Sequence, residues 1–314
     1  MLNRRHIRIK VMQTLYAFGG GEGDDFKKDH KFLVESLEHM YDLHLLMLSL
    51  LIEVQKRAED YQGKSQRKIL ATQEEKDPNR KFINNQVLQI LIEDGTLQNE
   101  IERRKIDDWY LDFEYVDIIF KSILESELYK DYMSNRVSDF NEDKNFICDV
   151  FTEIIAPNDK LYAYIEDKKL TWLDDLPVVN TGILKILRKV KKENKHNYFT
   201  PKLFKDTEDK EFATALFQKT LLNKTKFNQE IAAKTQNWDA ERIANLDAIL
   251  LQMAICEFQK FPSIPVKVTI NEYLDIAKEY STPKSSFFIN GILDKIVKEY
   301  TEKGELNKIG RGLM

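Results

Sequence analysis

The sequence predicts an all-α protein, and three observations carry that prediction. Its 314 residues include only 11 Gly and 7 Pro, too few for the turns of a strand-rich fold. Apolar residues recur at helical spacing along most of the chain. The remaining positions are dominated by Lys, Glu and Asp, with Leu and the helix-compatible charges setting the local preference. Hydrophobic residues make up 42% and charged ones 32%, so a sizeable core sits under a well-solvated surface. The formal net charge of −4 excludes a uniformly basic nucleic-acid binder and leaves room for a local basic patch. Cys148 and Cys256 both lie among apolar neighbours and read as buried thiols of a reducing compartment. No apolar run approaches the ~20 residues that span a bilayer, and the expected location is the cytoplasm.

The first helix is expected over 3–18, with Asn3 as its cap and Ile7, Val11, Leu15 and Phe18 as its buried stripe. Arg4, Arg5, His6, Arg8 and Lys10 all precede the first acid, Glu22. Arg5, Met12 and Tyr16 fall on one side of the helix, beside the buried stripe. Cations with an aromatic at the far end suit single-stranded RNA, because guanidiniums meet phosphates and a ring offers a stacking platform. The alternatives are a solvated face with a packed Tyr, or an amphipathic transit peptide. A secretory signal is not expected, since Gln13 and Thr14 interrupt the apolar stretch.

Gly19-Gly20-Gly21 ends this helix. A Leu-rich core helix follows over 31–59, and His44 lies on its main stripe, where a hydrogen-bonded core histidine is expected. The polar stretch 61–79 reads as an exposed loop. Overlapping its start, Ala58-x4-Gly63-Lys64-Ser65 fits a permissive phosphate-loop pattern, but no strand precedes it and Ala58 stands where the first Gly belongs. Helices are expected over 82–92, 113–133, 144–155 and 179–192. Residues 185–195 are strongly basic, and a loop follows over 197–201. Four helices close the chain, over 209–235, 239–260, 269–280 and 283–300, before a frayed polar tail over 301–314.

A motif echoes within the chain at an offset of 66 residues. Asp143, Phe146 and Phe151 recur as Asp209, Phe212 and Phe217, followed by Ile165 with Ile231, Trp172 with Trp238 and Ile183 with Ile249. Either a helix pair is duplicated or similar amphipathic helices coincide. The helix over 239–260 is apolar nearly all round and should be central. Its polar exceptions Asp247, Gln252 and Glu257 are spaced by five, so they cannot share one solvent stripe. Each is expected to satisfy a buried backbone group or to emerge at a partner interface. Thr269-x-x-Glu272 reads as a capping box. Thr282-Pro283 reads as a cap followed by proline, with Lys284 and open helix amides able to meet phosphate. Gly291, inside the last helix, suggests a close helix approach. The five histidines show no metal-ligand spacing, and no nucleophile–base arrangement stands out. Neither catalysis nor a cofactor is expected.

Arg4-Arg5-His6-Ile7-Arg8-x-x-Val11-Met12-Gln13-Thr14-Leu15-Tyr16 resembles the Arg-rich first helix of the NusB family. Ile249-Leu250-Leu251-x-Met253-Ala254-Ile255-x-Glu257, Val268-x-Ile270-Asn271-Glu272 with Ile276-Ala277-Lys278, and Phe288-Ile289-Asn290-Gly291-Ile292-Leu293-Asp294-Lys295 are similar to the rest of its signature. The resemblance implies an all-α, NusB-like helical bundle, here with an additional inserted helical lobe. It divides the chain into N-terminal helices (1–60), an inserted region (61–205), a C-terminal bundle (206–302) and a tail (303–314).

The resemblance also implies function. Family members pair with the small-subunit ribosomal protein NusE, bind boxA-type single-stranded RNA and load onto the elongating RNA polymerase, supporting antitermination in ribosomal RNA operons. Matching positions put Arg4, Arg5, Arg8 and Tyr16 on the RNA side with Phe288 near, and Asp247 facing the protein partner. His6 and Lys284 join the RNA side as neighbouring cations. Gln252 and Cys256 depart from the family pattern at structural positions, and the chain is longer than the family's usual form. Two other readings stand beside this one: an RNA-binding module related to those of RNA methyltransferases, without their cofactor loop, and a purely structural helical scaffold.

Overall fold

The computed structural model describes residues 1–18, 26–235 and 244–310. Every regular element among them is helical. In chain order the helices are α1 (Arg4–Phe18), α2 (Phe26–Gln66), α3 (Gln73–Lys76), α4 (Gln86–Glu93), α5 (Gly95–Arg104), α6 (Asp108–Leu111), α7 (Phe113–Glu125) and α8 (Glu127–Tyr132). They continue as α9 (Phe140–Val150), α10 (Asp159–Lys168), α11 (Leu176–Lys189), α12 (Thr207–Leu222), α13 (Lys224–Lys234), α14 (Asn245–Lys260), α15 (Val266–Tyr280) and α16 (Ser285–Lys303). None of them is long and apolar enough to cross a membrane. The expected glycine link after α1, Trp238 and the expected start of the 239–260 helix lie outside the described residues.

The chain divides into two compact units, one of Met1 with Glu38–Leu203 and one of Leu2–Leu37 with Phe204–Met314. The second unit is built around α14, which packs against α1, α12, α13, α15 and α16. Ile249, Leu250, Leu251, Met253, Ala254, Ile255, Cys256 and Phe258 are all buried, as an all-round apolar helix requires. The polar Asp247, Gln252 and Glu257 are buried with them.

The first unit contains the Leu-rich part of α2, in which every side chain from Leu43 to Ile52 is buried. His44 is fully enclosed and its Nε2 lies 2.8 Å from the Phe199 carbonyl oxygen. Burial drops its pKa to about 4, so the ring is neutral at pH 7. Trp109 ties α6 to α2 by donating to the Leu46 carbonyl and the Ser49 hydroxyl. The helices α4, α8 and α11 pack on α9.

The 66-residue echo corresponds to two helix triplets in the same order, α9–α10–α11 and α12–α13–α14. Asp143 and Asp209 are both buried, as are Phe146 and Phe212, Phe151 and Phe217, Ile165 and Ile231, and Ile183 and Ile249. An aspartate caps the first helix of each triplet, Asp139 accepting from the Asn141 and Glu142 amides and Asp206 from the Asp209 amide. The triplets thus share α-helix order and burial at the echoed positions, while the first also carries short helical turns over Phe151–Ile155 and Leu170–Trp172.

Several local expectations differ from what is observed. Gly63, Lys64 and Ser65 lie inside α2, not in a loop, and Lys64 pairs with Asp60 at i,i+4. A helical backbone cannot cradle phosphates in that way. Thr269 does not cap α15, which starts a turn earlier after Pro265, a residue suited to a helix start because its lost N–H would be unpaired there. The turn before α16 spans Thr282–Lys284, with the Ser285 amide donating to the Thr282 carbonyl. A Cβ at Gly291 would meet nothing within 4 Å, so no close helix approach requires that glycine. The tail, expected to be free, is tied down at Lys308, which donates to the Glu257 and Phe261 carbonyls. Each of those carbonyls also accepts a backbone amide, Glu257 from Phe261 and Phe261 from Ile264, and the ammonium adds a second donor at the negative end of α14.

Candidate nucleic-acid interface

The basic first helix begins as its sequence suggests. The Asn3 side chain accepts from the His6 amide at 2.9 Å, satisfying one of the open donors of the first turn. Residues Ile7–Met12, Thr14 and Leu15 are all buried, which leaves Arg4, Arg5 and His6 partly exposed at one end of α1 and Tyr16 exposed at the other.

The arginines do not project freely. Arg4 donates from Nε to Asp209 at 2.9 Å and its guanidinium sits 5.2 Å from the Phe212 ring centre. Arg5 forms a bidentate pair with Glu272 at 3.1 and 3.0 Å and reaches Asp275 at 2.9 Å. The hydrogen bond from Arg5 to Glu272 leads the causes that raise its pKa, so it is a fixed cation. It nevertheless keeps 40% of its side chain exposed.

Arg8 differs most from expectation, because it is a core residue. Only 2% of its side chain is accessible, and it forms a bidentate pair with Glu257 at 2.7 and 2.9 Å. Burial alone would lower its pKa, but the Glu257 carboxylate outweighs that and the net shift is upward. Thr269 and Tyr273 add hydroxyl donors to the same carboxylate at 3.0 and 2.7 Å. Burial, and then the adjacent Glu257 charge, keep the Tyr273 phenol protonated far above its usual range. The Arg8 and Glu257 charges are thus taken from water together, with the carboxylate's lone pairs satisfied. Arg8 holds α1 to α14 and offers no phosphate contact. Lys10 is buried too. The His6 ring is lowered in pKa, first by burial and then by Arg5, which makes it a neutral hydrogen-bonding group near pH 7.

Asp247 is likewise interior. Its two oxygens accept from the Ser281 hydroxyl at 2.6 Å and the Ser285 hydroxyl at 2.7 Å. A carboxylate so engaged and only 5% exposed locks the start of α16 onto α14, and it does not face outward toward a partner. Gln252 donates to Asn228 at 2.7 Å.

What remains open lies at the far end of α1. Tyr16 is 55% exposed and, with Met12 and Gln13, lines a groove of about 500 Å³. The rest of its lining comes from Ala244–Leu246 and from Tyr280, Ser281 and Thr282. The turn before α16 leaves Lys284 exposed, and on α16 the outward ring is Phe287, 79% exposed, while Phe288 is half-buried. Neighbouring positions of a helix point about 100° apart, so the sequence alone did not separate these two rings. A groove lined by Tyr16, Tyr280 and the hydroxyl-bearing Ser281 and Thr282 can stack bases and offer polar contacts to a strand. Among the described residues no His, Cys, Asp and Glu cluster is arranged to hold a metal ion.

Comparison with known proteins gives a consistent picture. The NusB family profile matches residues 180–298. The transcription antitermination protein NusB of Salinibacter ruber is 42% identical over 112 residues, covering 36% of this chain and 70% of that protein. The protein of the same name from Chloroherpeton thalassium is 41% identical over 109 residues, 35% of this chain and 52% of the relative. That from Desulfitobacterium hafniense is 40% identical over 94 residues, 30% of this chain and 64% of the relative. The chain thus spans less than two thirds of the length of two of these three relatives. No solved structure matches it significantly.

Proposed function

The chain belongs to the NusB family, and from that membership we propose that it is an RNA-binding transcription antitermination factor without chemistry of its own. In this reading it binds boxA-like single-stranded RNA, pairs with NusE and joins the RNA polymerase elongation complex in the cytoplasm. Its inserted helical lobe lies within residues 61–205.

The observation that supports RNA binding most directly is the exposed Tyr16 ring at the mouth of the groove. Bases stack on Tyr16 and Phe287, Lys284 meets a phosphate, and the Ser281–Thr282 edge supplies polar contacts. Arg5, at the other end of α1 and still 40% exposed, extends the contact by exchanging one carboxylate for a phosphate. Arg4 and Arg8 shape the helix, and His6 contributes as a neutral group. Phe288 supports the neighbouring ring from below. Pairing with NusE rests on family membership, and Asp247 supports that surface indirectly by fixing α16.

Titration of a labelled boxA-type RNA against Tyr16→Ala tests the reading. Loss of one stacking ring should weaken binding about tenfold with little change in thermal stability. Unchanged affinity in Tyr16→Ala would remove the groove from the interface.

A further inference from the structure

The most basic stretch of the chain is not α1 but residues 185–195. Residues 185–195 carry Lys185, Arg188, Lys189, Lys191, Lys192 and Lys195 against one acid, Glu193, and all of these side chains are exposed. The reason is local. Val179, Ile183 and Leu187 form the buried face of α11 and Val190 is buried just beyond it, so the intervening cations are turned outward. Lys191 and Lys192 wall a cleft of about 710 Å³ together with Lys144 and Phe140 of α9. The ammonium groups of Lys144 and Lys192 stand 5.7 and 5.9 Å from the Phe140 ring centre. Gln86 and Ser138 add an amide and a hydroxyl. The one carboxylate on the wall, Asp139, accepts from the Asn141 and Glu142 amides. Among the described residues the arginines of α1 are matched by carboxylates, whereas these lysines and Arg188 have no ion-pair partner.

A row of unneutralised cations is stable on a net-acidic protein, but it raises the local potential and attracts a polyanion. An aromatic ring flanked by ammonium groups, with amide and hydroxyl neighbours, fits an unpaired base between phosphates better than a bare anion. We propose that this face is a second single-stranded RNA surface, built from none of the Tyr16 groove's residues and carried entirely by the unit containing residues 38–203. Phe140 stacks a base, Lys144, Lys191 and Lys192 take the flanking phosphates, and the rest of 185–195 steers the strand.

The test is a fluorescence titration of the full chain with a short labelled single-stranded RNA of mixed sequence. The double variant Lys191→Glu/Lys192→Glu should bind about tenfold more weakly with an unchanged melting curve, and its log K against log salt should be shallower by ~1.4. Phe140→Leu, which keeps an apolar side chain there, should lose a few-fold in RNA affinity and nothing toward polyphosphate. Equal affinity and slope in the double variant would overturn the proposal. So would polyglutamate displacing the RNA at equal charge, which would make this a surface for acidic proteins. Tyr16→Ala serves as the reference. If it weakens binding and the double variant does not, this proposal fails while the groove stands. The opposite pattern removes the groove and keeps the 185–195 face.

Discussion

Arg8 and Glu257 show how a residue type can suggest one role while its surroundings assign another. The sequence presents Arg8 among four other early cations, and nothing local marks it as different. Its partner lies 249 residues away, as the partners of Arg4 and Arg5 lie 205 and 267 away. Ion pairing across such separations leaves no periodic trace, so the cationic helix was legible and its neutralisation was not. Arg8→Ala should leave Glu257 buried and uncompensated, at a cost of about 3–5 kcal/mol in denaturant unfolding. A variant that folds normally and loses only RNA affinity would return Arg8 to the surface role. His44, by contrast, was legible because it interrupts a Leu stripe, where only a buried and hydrogen-bonded ring fits. Its pKa falls from 6.5 to about 4 on folding, so the unfolded chain binds the extra proton between those values. Stability is therefore full above pH 6.5 and is lost as pH falls toward 4, by about 2 kcal/mol between pH 7 and pH 5. His44→Gln should flatten that part of the pH dependence, and an unchanged slope would assign it to other groups.

At the scale of the element, apolar spacing located most helices well, because burying one stripe is the physical reason they exist. Their ends were less legible. Thr269-x-x-Glu272 has the composition of a capping box, yet Thr269 donates to Glu257 and Glu272 pairs with Arg5. Tertiary partners outcompeted the local cap once Pro265 had set the helix start a turn earlier. Polar composition around Gly63 ended the expected α2 too soon, but one glycine costs only about 1 kcal/mol, less than continuing a long packed helix returns. The same arithmetic yields a prediction at Gly182 and Gly291. Both lie inside helices, and an added Cβ would meet nothing within 4 Å. Gly182→Ala and Gly291→Ala should each raise stability by about 0.5–1 kcal/mol, read as a shift in the denaturant midpoint. Destabilisation at Gly291 would restore the close-approach explanation.

Across the whole molecule, net charge and binding chemistry point in opposite directions. The chain carries −4, so its long-range field repels a polyanion, and any RNA affinity must come from short-range cations. Beyond a Debye length of ~8 Å in physiological salt the acidic remainder is screened, which leaves local patches in control. Two regions qualify, the Tyr16 groove with Lys284 two residues beyond its Thr282 and the 185–195 face, and only the second offers several unneutralised cations. If three or four phosphates are engaged, log K for a single-stranded RNA should fall against log salt with a slope of about −2 to −3. A slope near zero would mean that stacking alone holds the RNA, and one much steeper would require the α1 arginines to leave their carboxylates. Titrations at several salt concentrations therefore report whether the carboxylate-bound arginines stay bound in the complex, a question that no affinity measured at one salt can answer.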